Sequence, residues 1–244
     1  MKTLYLHIGT HKTGSTSLQD YLINHAKALE GQGLAFYNGM IEPGNHLELH
    51  VASMRTQRMS FSKEKYNISN TPDYIRLVSE NVRRFQNTHN DKDIIFTSEA
   101  INLLRHDDEI EQLKDILHSS TYEVKIVCVF RNPIFFMKSY RAQIKKAQNR
   151  HFSDDPKSHL YVEDDSWIFD YEAVREIWTR HFGAKNFIEL NYDKIMDASN
   201  NVLPSVLGAL GLPDVLISDT HKYQSNKNGF TARLRRFLFK LLNR

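Results

Sequence analysis

Lys12, Thr13, Gly14, Ser15, Thr16 and Ser17 put one cation, one glycine and four hydroxyls directly behind a short apolar strand carrying Leu4, Leu6 and Ile8. Leu18, Tyr21, Leu22 and Leu29 then recur at helical spacing, so the polar cluster opens an amphipathic helix. The first backbone N–H groups of such a helix lack intrahelical partners, and the positive end of the helix dipole adds to their pull on an anion. Gly14 lets the main chain come close to a phosphate, the hydroxyls add donors, and Lys12 adds a full charge. The segment is therefore an anion trap suited to a phosphorylated ligand. It is not a Walker loop, because that loop places its lysine after the second glycine and Lys12 stands before Gly14.

A second cation closes a second strand. The apolar run Val124 to Phe130 ends at Arg131, and Pro133 then opens a helix carrying Ser139. The order strand, Lys12-Thr13-Gly14-Ser15-Thr16, helix resembles the loop that holds the 5′-phosphosulfate of 3′-phosphoadenosine 5′-phosphosulfate (PAPS) in sulfotransferases, with Ser15 where threonine is commoner. Arg131 and Ser139, eight residues apart, resemble that family's site for the 3′-phosphate. The chemistry agrees, since a guanidinium fork matches phosphate oxygens in pairs and a hydroxyl adds a neutral donor. The segment from Phe187 to Asp197 resembles the strand and turn in which a tyrosine borders the adenine, a role that falls to Tyr192. In QSNKNGF, Lys227 and Gly229 match only in part the basic loop that the family returns over the 3′-phosphate, so Lys227 is a further expected contact.

The resemblance implies transfer of a sulfuryl group from PAPS to a hydroxyl by in-line displacement, with no metal expected. Lys12 would stabilise charge on the leaving 5′-phosphate. The acceptor's proton needs a base, for which two residues stand out. Glu99, in TSEAI, follows a strand that in related enzymes delivers a catalytic histidine or glutamate. His46, in NHLELH, lies in a stretch without clear period, from which it would reach the cleft. His46 and His50 share a helical spacing, but Glu48 stands at the wrong offset for a zinc-protease motif and no third ligand follows. His7 and His11 flank the first loop and are expected to orient or pack. The alternatives are a P-loop-type nucleotide kinase, whose Walker lysine is missing, and a non-catalytic nucleotide-binding protein. Family association points to a saccharide or glycolipid as the acceptor.

The elements that must hold these residues alternate. Strands are expected near residue 35, in DIIFTSEAI where a buried strand runs into a turn, at 124–130 and from Phe187. Helices are expected from a Thr71 cap with Pro72 in first position, over Asp108 to His118, after Pro133, over Tyr171 to Phe182 and over Val202 to Leu210. Alternating strand and helix gives an α/β fold: a three-layer α/β/α arrangement on a parallel sheet of about five strands, P-loop-like in its nucleotide site. HFSDDPKSHLYVEDDSW has no period and reads as a lid or a solvated loop. Residues 230–244 form a basic amphipathic helix that either packs on its own domain or touches an anionic membrane surface.

With 244 residues, 41% of them apolar, the chain suits one domain over 1–244. The single cysteine, Cys128, sits in an apolar strand and rules out a disulfide framework. No apolar run approaches bilayer length and a strand begins almost at the first residue, which fits a cytoplasmic protein, peripheral to a membrane at most. The balance of 32 basic against 29 acidic residues argues against a nucleic-acid partner.

Overall fold

The computed structural model describes residues 1–146, 150–217 and 220. Lys227 and the segment 230–244 lie outside the described residues. In chain order the elements are β1 (Lys2–His7), α1 (Ser15–Asn24), α2 (Ala26–Gly31), β2 (Leu34–Phe36), α3 (Leu47–Ser53), α4 (Phe61–Tyr66), α5 (Pro72–Thr88), β3 (Asp93–Thr97), α6 (Asp107–Leu117), β4 (Tyr122–Phe130), α7 (Pro133–Lys146), α8 (Tyr171–Phe182), β5 (Phe187–Asn191), α9 (Tyr192–Ser199), α10 (Leu203–Ala209) and α11 (Asp214–Ile217).

The five strands form one all-parallel sheet in the order β2-β3-β1-β4-β5. Leu6 of β1 lies level with Phe96 on one side and Ile126 on the other. Because side chains alternate along a strand, Leu4, Leu6, Ile94, Phe96, Ile126 and Cys128 pack on one face while Tyr5, Ile95, Val127 and Val129 pack on the other. The first face is covered by α3, α5, α6 and α8 through Leu49, Val82, Leu113 and Trp178. The second is covered by α1 and α10 through Leu18, Leu22, Val206 and Leu207. A strand covered on both faces carries continuous apolar sequence, as β4 does at its C-terminal half.

The chain order fixes where a ligand can bind. From β1 the chain crosses past β3 to β2, and from β3 it crosses back past β1 to β4. The direction of winding therefore reverses between β1 and β4, and the loops leaving their C-terminal ends open a crevice there. Residues 8–14 form one wall of that crevice, and Arg131 and Asn132 form the other.

One expectation is corrected. The stretch around NHLELH is not an irregular loop reaching the cleft: Leu47–Ser53 is helix α3, with every residue buried. A helix buried on all sides shows no apolar period, and so leaves no signal in the sequence. The polar segment 150–166 has no helix or strand, yet His159 and Val162 are buried and Val162 packs with Phe136, Tyr140 and Ile144 of α7. Among the described residues, no helix is long and apolar enough to cross a membrane.

Candidate active site

The loop after β1 is stitched to β4 before it turns. The N–H groups of Ile8 and Thr10 donate to the carbonyls of Val127 (2.9 Å) and Val129 (3.0 Å), and the Thr10 hydroxyl also donates to Val129 O at 3.1 Å. Thr13 is buried and spends its proton inside the loop, donating to Thr10 O at 2.6 Å. Gly9 is required by packing, since a Cβ there would lie 2.8 Å from the His7 ring. Lys12 and Gly14 both adopt left-handed backbone, with φ of 68° and 89°. For lysine that conformation is costly and marks a loop held in shape by its surroundings.

Gly14 is also the residue before α1, and no side chain caps the helix. The first intrahelical bond runs from Leu18 N–H to Gly14 O, at 3.1 Å. The N–H groups of Ser15, Thr16 and Ser17 thus lie ahead of the helical ladder, and the exposed Thr16 and partly buried Ser17 carry hydroxyls at the same end. Globular helices usually begin with a capping side chain, as α5 does where Thr71 Oγ1 accepts from Tyr74 N–H at 3.3 Å. An uncapped start beside a lysine leaves donors for a ligand anion.

Across the crevice, Arg131 Nη1 donates to Lys12 O (3.1 Å) and to Ser139 Oγ (3.3 Å). Its guanidinium lies over the Tyr192 ring at 5.1 Å, and its Nε is buried without a partner. Tyr171 anchors the backbone behind it, donating to Arg131 O at 2.7 Å and stacking on Phe130 at 4.4 Å between ring centres. The structure therefore brings together Lys12, Arg131, Ser139 and Tyr192, which the sequence places in three separate segments.

On the β3 side, Glu99 is the first residue of a 3-10 turn, Glu99–Leu103, and is partly exposed. Its Oε2 accepts from Gln19 Nε2 of α1 at 3.2 Å. The turn is pinned beneath it, because Ser98 N–H donates to His7 O at 3.0 Å and the His7 ring Nδ1 meets Thr97 Oγ1 at 2.9 Å. Burial lowers the His7 pKa to about 4, so this ring is neutral at ordinary pH. His46 is placed away from this chemistry. It is fully buried, its Nδ1 accepts from Thr97 N–H (2.8 Å) and its Nε2 donates to Tyr37 O (2.6 Å). Both ring nitrogens are occupied and burial lowers its pKa to about 3, which makes His46 a pin between the ends of β2 and β3.

The family model described as "Sulfotransferase family" matches residues 6–215, spanning both walls of the crevice. The chain belongs to the sulfotransferase family. A crystal structure of a sulfotransferase from Alicyclobacillus acidocaldarius is similar with a TM-score of 0.57 at 16% identity, over 98% of this chain and 91% of that one. The sulfotransferase domain of the olefin synthase from Synechococcus PCC 7002 gives 0.47 at 14% identity, over 95% and 82%. At such identity the first likeness speaks for the fold alone. No curated protein matches the sequence significantly.

In this sulfotransferase Lys146, Arg131 and Glu99 all act electrostatically on Lys12. The Lys12 ammonium is held below its ordinary value first by partial desolvation and then by Lys146, with Arg131 adding to the effect and Glu99 opposing it. His11, next to Lys12, is also pushed down by burial, and its Nε2 is enclosed without a partner. Sequence reasoning missed two residues here. Gln19 left a faint signal, being a polar residue within the buried stripe of Ser15, Leu18 and Leu22. Tyr171 left none, because its contact with Arg131 spans 40 residues.

Proposed function

We propose that this sulfotransferase moves a sulfuryl group from PAPS to a hydroxyl of a saccharide or glycolipid acceptor. The observation that carries this reading is the pairing of two cationic sites across one crevice: Lys12 with the uncapped start of α1, and Arg131 with Ser139, joined by the Arg131–Lys12 O hydrogen bond. The groups fit a bisphosphorylated adenosine. The open N–H groups of α1 suit a 5′-phosphosulfate, the unpartnered Arg131 Nε and Ser139 suit a 3′-phosphate, and Tyr192 lies beside Arg131 as an aromatic wall for the base. The donor, when bound, supplies an activated sulfuryl group and a phosphate leaving group.

The chain's own part is electrostatic and positional. Lys12 and the α1 N–H groups neutralise charge that grows on the leaving oxygen. Thr10 and Thr13 keep the loop on β4, so those donors stand ready without reorganisation. Glu99 is the base of this reading: it accepts the proton of the attacking hydroxyl at its second carboxylate oxygen, while the first is held by Gln19. The acceptor class rests on family association. The test is transfer of label from PAPS carrying radioactive sulfur to a panel of saccharides, glycolipids and phenols. Label on a saccharide or glycolipid supports the reading, label on phenols alone overturns the acceptor class, and binding of 3′-phosphoadenosine 5′-phosphate with no transfer to any acceptor overturns the activity.

A further inference from the structure

We infer that Gln19 is a positioning residue that ties the candidate base to the helix whose first turn is the proposed donor site. The inference rests on the reading of Glu99 as base. Gln19 is 4% exposed and sits one turn beyond Ser15 on the buried face of α1, and its amide Nε2 donates to Glu99 Oε2 at 3.2 Å. The two residues are 80 apart in sequence and come from different strand–helix crossings, so the contact is built by the fold.

The chemistry of the amide suits this place. A lysine or arginine at position 19 would pair with the carboxylate and hold its proton affinity down, weakening it as a base. A neutral amide fixes one oxygen and leaves the other free, at the cost of a single hydrogen bond to the charged form. Because α1 also presents the N–H groups of Ser15, Thr16 and Ser17, any tilt of the helix moves the anion site and the Glu99 carboxylate together. Gln19 thus holds the two halves of an in-line reaction in register, where small errors of position cost large factors in rate. The floor beneath is fixed independently by the Ser98 N–H to His7 O and His7 to Thr97 contacts, so Gln19 governs the carboxylate and not the backbone that carries it.

Gln19→Met keeps length and bulk but removes the amide. The expected result is a kcat about 10-fold lower, with calorimetric affinity for 3′-phosphoadenosine 5′-phosphate and donor KM within about 2-fold of wild type. Gln19→Glu is isosteric, sets a second carboxylate against Glu99 and should lower kcat further; it serves if Gln19→Met fails to fold. An unchanged kcat in either variant overturns the inference, as does a fall in donor affinity matching the fall in kcat. Glu99→Gln separates this outcome from failure of the base. If Glu99→Gln keeps full turnover, the base reading itself fails and the role of Gln19 fails with it. If Glu99→Gln abolishes turnover while Gln19→Met behaves as wild type, only the Gln19 inference fails.

Discussion

Replacing Gly14 by alanine tests the loop where its geometry is tightest. Gly14 has φ of 89° and ψ of 14°, a left-handed conformation that costs an L-residue about 1 kcal/mol or more. An added Cβ would also meet Val202 Cγ1 at 2.9 Å, against the roughly 3.5 Å at which carbon atoms pack without repulsion. Val202 is itself wedged into the core of the α1 and α10 face, so the loop must shift by about 0.6 Å, and overpacking of this kind costs about 1–3 kcal/mol. Together, Gly14→Ala should lose about 2–4 kcal/mol of stability. The same shift moves the N–H groups of Ser15 and Thr16, so affinity for 3′-phosphoadenosine 5′-phosphate should fall at least about 10-fold. Gly31→Ala is the control: its Cβ meets nothing within 4 Å and its φ is ordinary, so stability should stay within about 0.5 kcal/mol or rise slightly. Urea denaturation measures the first quantity and titration calorimetry the second. If Gly14→Ala proves as stable as Gly31→Ala and binds the nucleotide as wild type does, the described loop geometry is wrong.

Three further outcomes are expected. Arg131→Ala should weaken 3′-phosphoadenosine 5′-phosphate about 100-fold while changing adenosine 5′-phosphate affinity little, which calorimetry with the two nucleotides reads directly. Lys12→Ala should lower turnover about 100-fold or more with the fold intact, as a transfer assay beside a thermal melt will show. Glu48 is fully buried and its pKa is raised to about 7 by burial, against an ordinary 4.5, so the unfolded chain gives up this proton at lower pH than the fold does. This carboxyl therefore costs stability progressively as pH rises from about 4.5 to 7, reaching about 3 kcal/mol, and Glu48→Gln should gain that much at pH 8 and little at pH 4.5. A gain that does not vary with pH, measured by urea titration, would contradict the linkage.

Much of the fold was legible because the relevant elements are buried on one stripe or bounded by strong punctuation. Thr71 and Pro72 mark the start of α5, and the sequence boundaries for α8 coincide with Tyr171–Phe182. Alternation of strand and helix gave the parallel sheet, and the apolar run before Arg131 gave the end of β4. Helix α3 was hidden because Leu47–Ser53 is buried all round, including His50 and Glu48, so buried polar side chains interrupted any apolar period. His46 misled for a related reason. A histidine among polar neighbours reads as mobile and reactive, whereas its two ring nitrogens join Tyr37 to Thr97, which lies 51 residues beyond His46 in the chain. The loop between β1 and α1 was readable as a candidate anion site because glycine, lysine and hydroxyls carry their chemistry locally. What places Glu99 is tertiary, through Gln19 and His7, and no local pattern announces it.

On the proposed reading, one crevice between β1 and β4 recognises both ends of a bisphosphorylated adenosine. The most direct test of that reading is titration calorimetry of the wild-type protein with 3′-phosphoadenosine 5′-phosphate and with adenosine 5′-phosphate under one set of conditions. Removing the 3′-phosphate should weaken binding about 100-fold. Equal affinity for the two nucleotides would contradict it.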